Sequence, residues 1–321
     1  MDVALERVPR CDLCGGQDLE PRRVWRDQLL FGTERWTLVR CRACKLHFIN
    51  PRPTRDAIGA FYPATYLAHN DPPAQPKAWH RRLSARDAPP LGWWERARMH
   101  VKQDTSWYRF PAWRGQGRVL DIGCGNGARY LDILKGVGWT THGLDASLAA
   151  AEAASAKGHI MRIGSAEDDH YEPASMDVVT MWHALEHTHS PKRALAAAFR
   201  VLAPGGILTL AVPNYGSLQA KLQGGMWSGV EVPRHLYQFT RATLRAYLEE
   251  AGFRITRLAT RSGATAWPRA FRHLVNTVFH RRWERDPKWI VELFEPGAKL
   301  GSVFRYFGVG GELRVIAERP G

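Results

Sequence analysis

Val119-Leu120-Asp121-Ile122-Gly123-Cys124-Gly125-Asn126-Gly127 is the stretch on which the reading of this chain turns. A short apolar run meets glycines at alternate positions, and residues 128–136 follow with a helical pattern ended by glycine, so the segment reads as strand, tight turn and helix. Glycines let the backbone come close to a ligand, while the free N–H groups of the following helix favour an anion. The spacing by itself leaves two ligand classes open. Gly123, Gly125 and Ala128, with Asp145 about twenty residues on, also satisfy the dinucleotide fingerprint. Asp121, two residues ahead of Gly123, favours the other class: a carboxylate there crowds a pyrophosphate and suits an ammonium group.

Outward from this turn, strands and helices alternate. Residues 140–144 read as a strand and 147–157 as an Ala-rich helix. Residues 176–181 and 206–212 are further strands, with a helix at 191–202 between them. A helix at 240–252 is closed by glycine, and 254–260 and 312–317 are the last strands. The alternation predicts an α/β fold, a mostly parallel sheet with helices on both faces, whose ligands bind at the carboxyl ends of the strands. Three parts are expected: residues 1–50 with the cysteine pairs, a Pro- and aromatic-rich connector with short helices at 51–104, and a domain at 105–321 with a helical insertion at about 263–310.

The glycine motif resembles the first motif of class I S-adenosylmethionine-dependent methyltransferases, which implies a Rossmann-like sheet of seven strands. The resemblance implies that Asp121 stands by the methionine end of S-adenosyl-L-methionine, that Gly123, Gly125 and Gly127 lie along its methionine and ribose, and that Asp145 takes the ribose hydroxyls. A carboxylate suits that last task because it accepts two hydrogen bonds from a diol at once. The next cofactor element is expected at Gly164-Ser165-Ala166-Glu167, where many relatives carry Asp in place of Ser165. Ser165 and Ala166 are the expected adenine contacts, with Glu167 reaching round as the alternative.

After the 176–181 strand comes Trp182-His183-Ala184-Leu185-Glu186-His187-Thr188-His189. H-x-x-E-H is also the inverted zinc-peptidase motif, but that chemistry needs a long helix, and here an apolar strand runs almost to His183 while Pro191 opens the next helix. The stretch resembles a group of class I enzymes that share His-x-Leu-Glu-His and a later Arg-His-Leu-Tyr, present here as Arg234-His235-Leu236-Tyr237. That match runs from Arg118 to about Phe253. Methyl transfer from a sulfonium is an in-line displacement, so most of the gain comes from holding the acceptor in place. A base is needed for a hydroxyl, a protonated amine or a carbon acid, and His187 or His235 can serve. Glu186 is an orienting partner, His183 belongs with the cofactor, and Tyr237 binds substrate or closes the pocket.

Four of the five cysteines form two pairs, Cys11/Cys14 and Cys41/Cys44, separated by 26 residues. In a reducing compartment two such knuckles supply four thiolates for a structural, tetrahedral Zn2+. The pattern also resembles the N-terminal cysteine domain of this methyltransferase group, which contains sugar C-methyltransferases, and implies a zinc-ribbon-like module capping the substrate side.

With 321 residues and 45% hydrophobic content the chain can bury a full core, and without an apolar run of membrane-spanning length or a signal sequence the expected location is cytoplasmic. The net charge of +14 is uneven: residues 79–118 carry nine Arg/Lys against three acids, and 263–290 six against two. These segments also hold Trp93, Trp94, Trp107 and Trp283, and suit an anionic substrate, nucleic acid or a peripheral membrane contact as well as an ordinary solvated surface. The leading expectation is methylation of a small molecule: a nucleotide sugar, a secondary metabolite, a quinone or a lipid intermediate. An RNA methyltransferase is the alternative that the knuckles and the basic charge favour, and a non-catalytic cofactor-binding protein is the third.

Overall fold

The computed structural model describes residues 3–27, 32–62, 75–95, 110–128, 130–261, 266–278, 288–290, 292–293 and 310–321. In chain order the N-terminal part contains β1 (Leu5–Glu6), β2 (Leu19–Arg26), β3 (Arg35–Cys41), β4 (His47–Ile49) and β5 (Arg52–Pro53), then a 3-10 turn at Ile58–Phe61 and α1 (Ala78–Ser84). The remainder runs β6 (Arg118–Ile122), α2 (Leu131–Lys135), β7 (Thr140–Asp145), α3 (Leu148–Ser155), β8 (Ile160–Ile163), β9 (Met176–Trp182), α4 (Pro191–Val201), β10 (Leu202–Pro213), α5 (Leu218–Gln223), β11 (Tyr237–Gln238), α6 (Arg241–Glu250), β12 (Arg254–Arg261), α7 (Ala266–Val278) and β13 (Glu312–Glu318).

The large sheet has seven strands in the order β12-β13-β10-β9-β6-β7-β8. The β10, β9, β6, β7 and β8 ladders are parallel, and β13 enters antiparallel between β10 and β12. This is the Rossmann-like architecture that the alternating sequence predicts. The central strands are apolar and β-branched because helices cover both of their faces: Leu120, Val178, Val179, Met181, Leu208 and Leu210 are essentially inaccessible. Helix starts follow from local chemistry. Ser147, Ser190 and Thr240 each accept a hydrogen bond from a first-turn backbone N–H, and Pro191 occupies the first turn of α4, where its missing N–H costs nothing.

Several boundaries differ from the sequence reading. The helix expected at 128–136 is limited to α2, because the glycine turn with its left-handed Gly127 runs further into the segment. The strand expected at 206–212 begins at Leu202, with a register shift between Leu202 and Ile207. Strands β2 and β8 and helix α5 had no clear periodic signal. Within the 263–310 insertion α7 is helical. Trp107, Arg281, Arg282 and Trp283 lie outside the described residues, while Trp93 and Trp94 are exposed and stack on each other with centroids 3.5 Å apart. Among the described residues no helix is long and apolar enough to cross a membrane.

The second sheet, β11-β4-β3-β2, joins the two ends of the protein. Its edge strand β11 follows the seven-stranded domain's α5, yet pairs with β4 through Tyr237 opposite Phe48 and Gln238 opposite His47. Cys11, Leu13, Val39 and Phe48 consequently pack in one apolar cluster with Leu210, Leu236, Tyr237 and Leu313. Each large side chain buried this fully contributes about 1.5–3 kcal/mol, so burial against the seven-stranded domain holds the cysteine module in place.

Candidate active site

Strand β6 ends at Ile122, and the next residue, Gly123, has φ 72°. A Cβ at Gly123 would lie 2.8 Å from Cβ of Ala184, so glycine is required twice over, by conformation and by the approach of the loop after β9. The Gly123 N–H donates to the Leu144 carbonyl (2.8 Å), which fixes the turn against β7. At the carboxyl end of β7, Asp145 accepts from the backbone N–H of Gly125 (2.8 Å) and of Ser147 (2.9 Å). Asp121 faces inward. It is 3% exposed, and its carboxylate accepts from the Thr180 hydroxyl of β9 at 2.6 Å. The Asp121 side chain is thus tied to β9, while Gly123 of the same turn lines the cleft.

A cavity of about 1120 Å³ opens along these strand ends. One end is walled by Gly123, Asp145, Ser165 and Ala166, the other by His187, Trp227, Glu231 and His235, with His183 on the rim between them. Residues of the connector close one side: Arg55, Ile58, Gly59 and Tyr62. Glu167 is spent on structure, since its buried carboxylate binds Arg55 and accepts from the Ser190 N–H at 2.7 Å.

The turn after β9, Leu185–His187, arranges the titratable groups. His183 has φ 54° and bridges two carboxylates, with Nδ1 3.3 Å from Glu186 Oε1 and Nε2 3.1 Å from Glu312 Oε2. Burial opposes its charge, but the two carboxylates outweigh that and raise the imidazolium above its usual range. Glu312 is held down to about 2 against the burial that opposes its ionisation, chiefly by His183 and Arg314. Glu186 is fully buried, and its Oε2 has no hydrogen-bond partner.

The tautomers of the two inner imidazoles follow from their partners. Nδ1 of His187 lies 3.0 Å from the Arg234 carbonyl and 2.8 Å from the Tyr62 hydroxyl. A carbonyl can only accept, so Nδ1 carries the proton and Nε2 the lone pair. His235 is fixed alike, its Nδ1 donating to the Gly229 carbonyl at 2.8 Å. The rings meet edge to face, with centroids 4.6 Å apart. Burial, with the neighbouring His235, pushes the His187 imidazole down to about 4. Glu231 stands 3.7 Å from His235 Nε2.

Tyr237 is 1% exposed, donates to the His189 carbonyl at 3.0 Å and accepts from Arg52 at 3.1 Å. Sequence reasoning missed Tyr62, Trp227, Glu231 and Glu312. The FYP stretch that holds Tyr62 was legible as aromatic-rich, but nothing local tied it to His187.

The four cysteines converge at the other end of β3. Their sulfurs lie within 4.8 Å of one another, with Cys11–Cys44 at 3.4 Å and Cys14–Cys41 at 3.5 Å. These separations are too long for disulfides and close to the roughly 3.8 Å between sulfurs around a tetrahedral ion with bonds of about 2.3 Å. The two knuckles repeat one geometry: the N–H of Gly15 donates to the Cys11 carbonyl (2.8 Å), that of Lys45 to the Cys41 carbonyl (2.9 Å), and both donors have positive φ. Glu186, His187 and His235 are a second group whose ligand atoms lie within 4.8 Å.

A seven-stranded sheet of this order with its cleft at the glycine turn defines the Rossmann-like methyltransferase fold class. The family profile described as "Methyltransferase domain" matches residues 66–258, and the chain belongs to that family. It is 38% identical over 104 residues to a ubiquinone biosynthesis O-methyltransferase of Thiobacillus denitrificans, covering 30% of this chain and 44% of that protein. Against a probable S-adenosylmethionine-dependent methyltransferase of Mycolicibacterium smegmatis it is 32% identical over 152 residues, covering 46% and 56%. The chain thus spans about half the length of these curated relatives. The crystal structure of the cyclase SpnF shares the fold, with a TM-score of 0.52, 19% identity, and coverage of 84% of this chain and 97% of SpnF.

The imidazoles of the cleft should titrate in opposite directions. His187, depressed from 6.5 to about 4, contributes stability that is complete above pH 6.5 and lost as pH falls through 4. His183, raised above 6.5, contributes stability that is complete below pH 6.5 and lost as pH rises through its elevated value. In an NMR pH titration His187 should remain neutral at pH 5 while His183 remains charged at pH 7; a shared midpoint near 6.5 would contradict the geometry.

Proposed function

We propose that this protein transfers the methyl group of S-adenosylmethionine to a small-molecule acceptor bound between His187, His235 and Trp227. The observation that carries this reading is a cavity lined both by Asp145 and Gly123 of the glycine turn and by two imidazoles whose Nδ1 atoms face backbone carbonyls. Its volume suits a cofactor with a small partner, and connector residues Arg55, Ile58, Gly59 and Tyr62 contribute to its wall. The ubiquinone biosynthesis O-methyltransferase similarity points the same way, toward a small hydroxylated acceptor.

S-adenosylmethionine supplies an electrophilic methyl group on a sulfonium. Asp145 takes the ribose hydroxyls with the lone pairs left over from its two backbone contacts, and Ser165 and Ala166 line the adenine side. Gly123 lets the backbone pass close to the methionine and ribose. Asp121 acts from behind, tying β6 to β9 through Thr180. At the acceptor end Nε2 of His235 receives the acceptor's proton, and Glu231 beside it stabilises the imidazolium. His187 is the weaker base, since burial disfavours its charge, and it orients the acceptor. Glu186 holds His183 in place. The four cysteines hold a structural Zn2+ that keeps β2 and β3 in register below the cleft.

Incubation of the purified protein with methyl-labelled cofactor and a cell extract split into RNA and small-molecule pools should label the small-molecule pool. Label confined to RNA would overturn the reading. S-adenosylhomocysteine should bind, and Asp145→Ala should weaken it roughly ten- to a hundredfold, the equivalent of about 1.5–3 kcal/mol for a charge-assisted bond; unchanged affinity by calorimetry would remove Asp145 from the site.

The protein should also contain close to one zinc per chain, lost together with thermal stability on replacing Cys11 and Cys14. A second equivalent, lost in Glu186→Gln, would reassign the Glu186, His187 and His235 group to metal binding.

A further inference from the structure

Arg234 is fully buried, and its guanidinium joins three separate parts of the chain. Its NH1 and NH2 donate to the two carboxylate oxygens of Asp27, each at 2.8 Å. NH1 also donates to the Phe61 carbonyl (3.2 Å), next to Tyr62, and Nε to Glu231 Oε1 (3.0 Å). Asp27 follows directly on β2 of the cysteine module and is 4% exposed. A planar two-point pair of this kind fixes direction as well as distance, which a lysine in the same place would not do.

The backbone of the same residue meets the acceptor-side imidazoles. The Arg234 carbonyl is the acceptor that keeps the His187 proton on Nδ1. The following residue is His235, whose N–H donates to the Glu231 carbonyl at 3.0 Å. The Tyr62 hydroxyl lies 2.8 Å from the same Nδ1 and can donate as well as accept. If the Arg234 carbonyl withdraws, Tyr62 can supply a proton to the bond, and the His187 proton then moves to Nε2, where it blocks the lone pair facing the cleft.

We propose that Asp27 is a positioning residue: by clamping Arg234 it sets the tautomer of His187 and the placement of His235, making the N-terminal module a working part of the acceptor site. This rests on reading the His187–His235 end of the cleft as the acceptor site. The module's contribution is then electrostatic and directional, and it acts through Arg234, whose guanidinium donates to Asp27, Phe61 and Glu231.

The test needs no acceptor. In the full-length zinc-loaded protein, 15N NMR of the histidine rings at pH 7 should show His187 with Nδ1 protonated and Nε2 bare. Asp27→Asn, which keeps the shape and removes the charge, should move the Nε2 resonance of His187 into the protonated range, while S-adenosylhomocysteine affinity stays at the wild-type value. Asp27→Glu, which restores the carboxylate, should restore the wild-type pattern. A merely structural role would lower the melting temperature and leave the ring nitrogens where they were, and that result overturns the proposal, as does a wild-type His187 already protonated on Nε2. Should Asp27→Asn fail to fold, Arg234→Lys carries the same test, since it keeps the charge and loses the fork. Absence of methyl transfer to any small molecule would defeat the acceptor reading without altering these nitrogen shifts, so the two failures are distinguishable.

Discussion

The pairing of β6 with both β7 and β9 is the constraint on which the rest of the structure depends. The chain leaves β6 toward β7 and β8 on one side and returns through β9 and β10 on the other, so the connections part above the end of β6. A crevice at that point follows from topology, and parallel sheets bind ligands there for this reason. One part of the crevice wall comes from the strands' carboxyl ends: Gly123 after β6, Asp145 on β7, Ser165 beyond β8 and His183 after β9. Glycine at 123 lets the loop after β9 approach, because a side chain there would collide with Ala184.

The second structural dependence runs between sheets. A two-residue strand, β11, completes the sheet of the cysteine module, and the loop before it carries Glu231 and His235 to the cleft wall, with Arg234 buried behind them. The module and the seven-stranded domain therefore share one apolar cluster and one set of buried polar contacts. Buried charges of this kind, here Arg234 with Asp27 and Glu231, are weak contributors to net stability compared with an apolar substitute but strongly unfavourable when one partner is lost. Their value lies in geometry. A backbone carbonyl, which can only accept, holds a proton on Nδ1 of His187 and of His235.

The sequence alone carried the backbone plan. Alternating periodicity, glycines at positions of positive φ, hydroxyl caps at Ser147, Ser190 and Thr240, and the spacing of Cys11, Cys14, Cys41 and Cys44 are local signals, and local chemistry produced the corresponding turns, helices and knuckles. The places of Asp145 on β7 and of His187 after β9 follow from the alternation, whereas the meeting of His187 with His235 comes from the loop before β11 and had no local signal. Strands β2 and β8 were less so, being edge strands without a regular apolar alternation to announce them.

What only the tertiary structure decided is which way side chains face and which distant groups meet. Asp121 meets Thr180 of a neighbouring strand and the Tyr237 ring packs in the core, contacts that no local pattern announces. His183 meets Glu312 across 129 residues, and Arg234 meets Asp27 across 207. No local periodicity can encode such pairs, because side-chain partners far apart in the chain are chosen by the packing of whole elements, and it is that packing which sets the protonation of the imidazoles in the cleft.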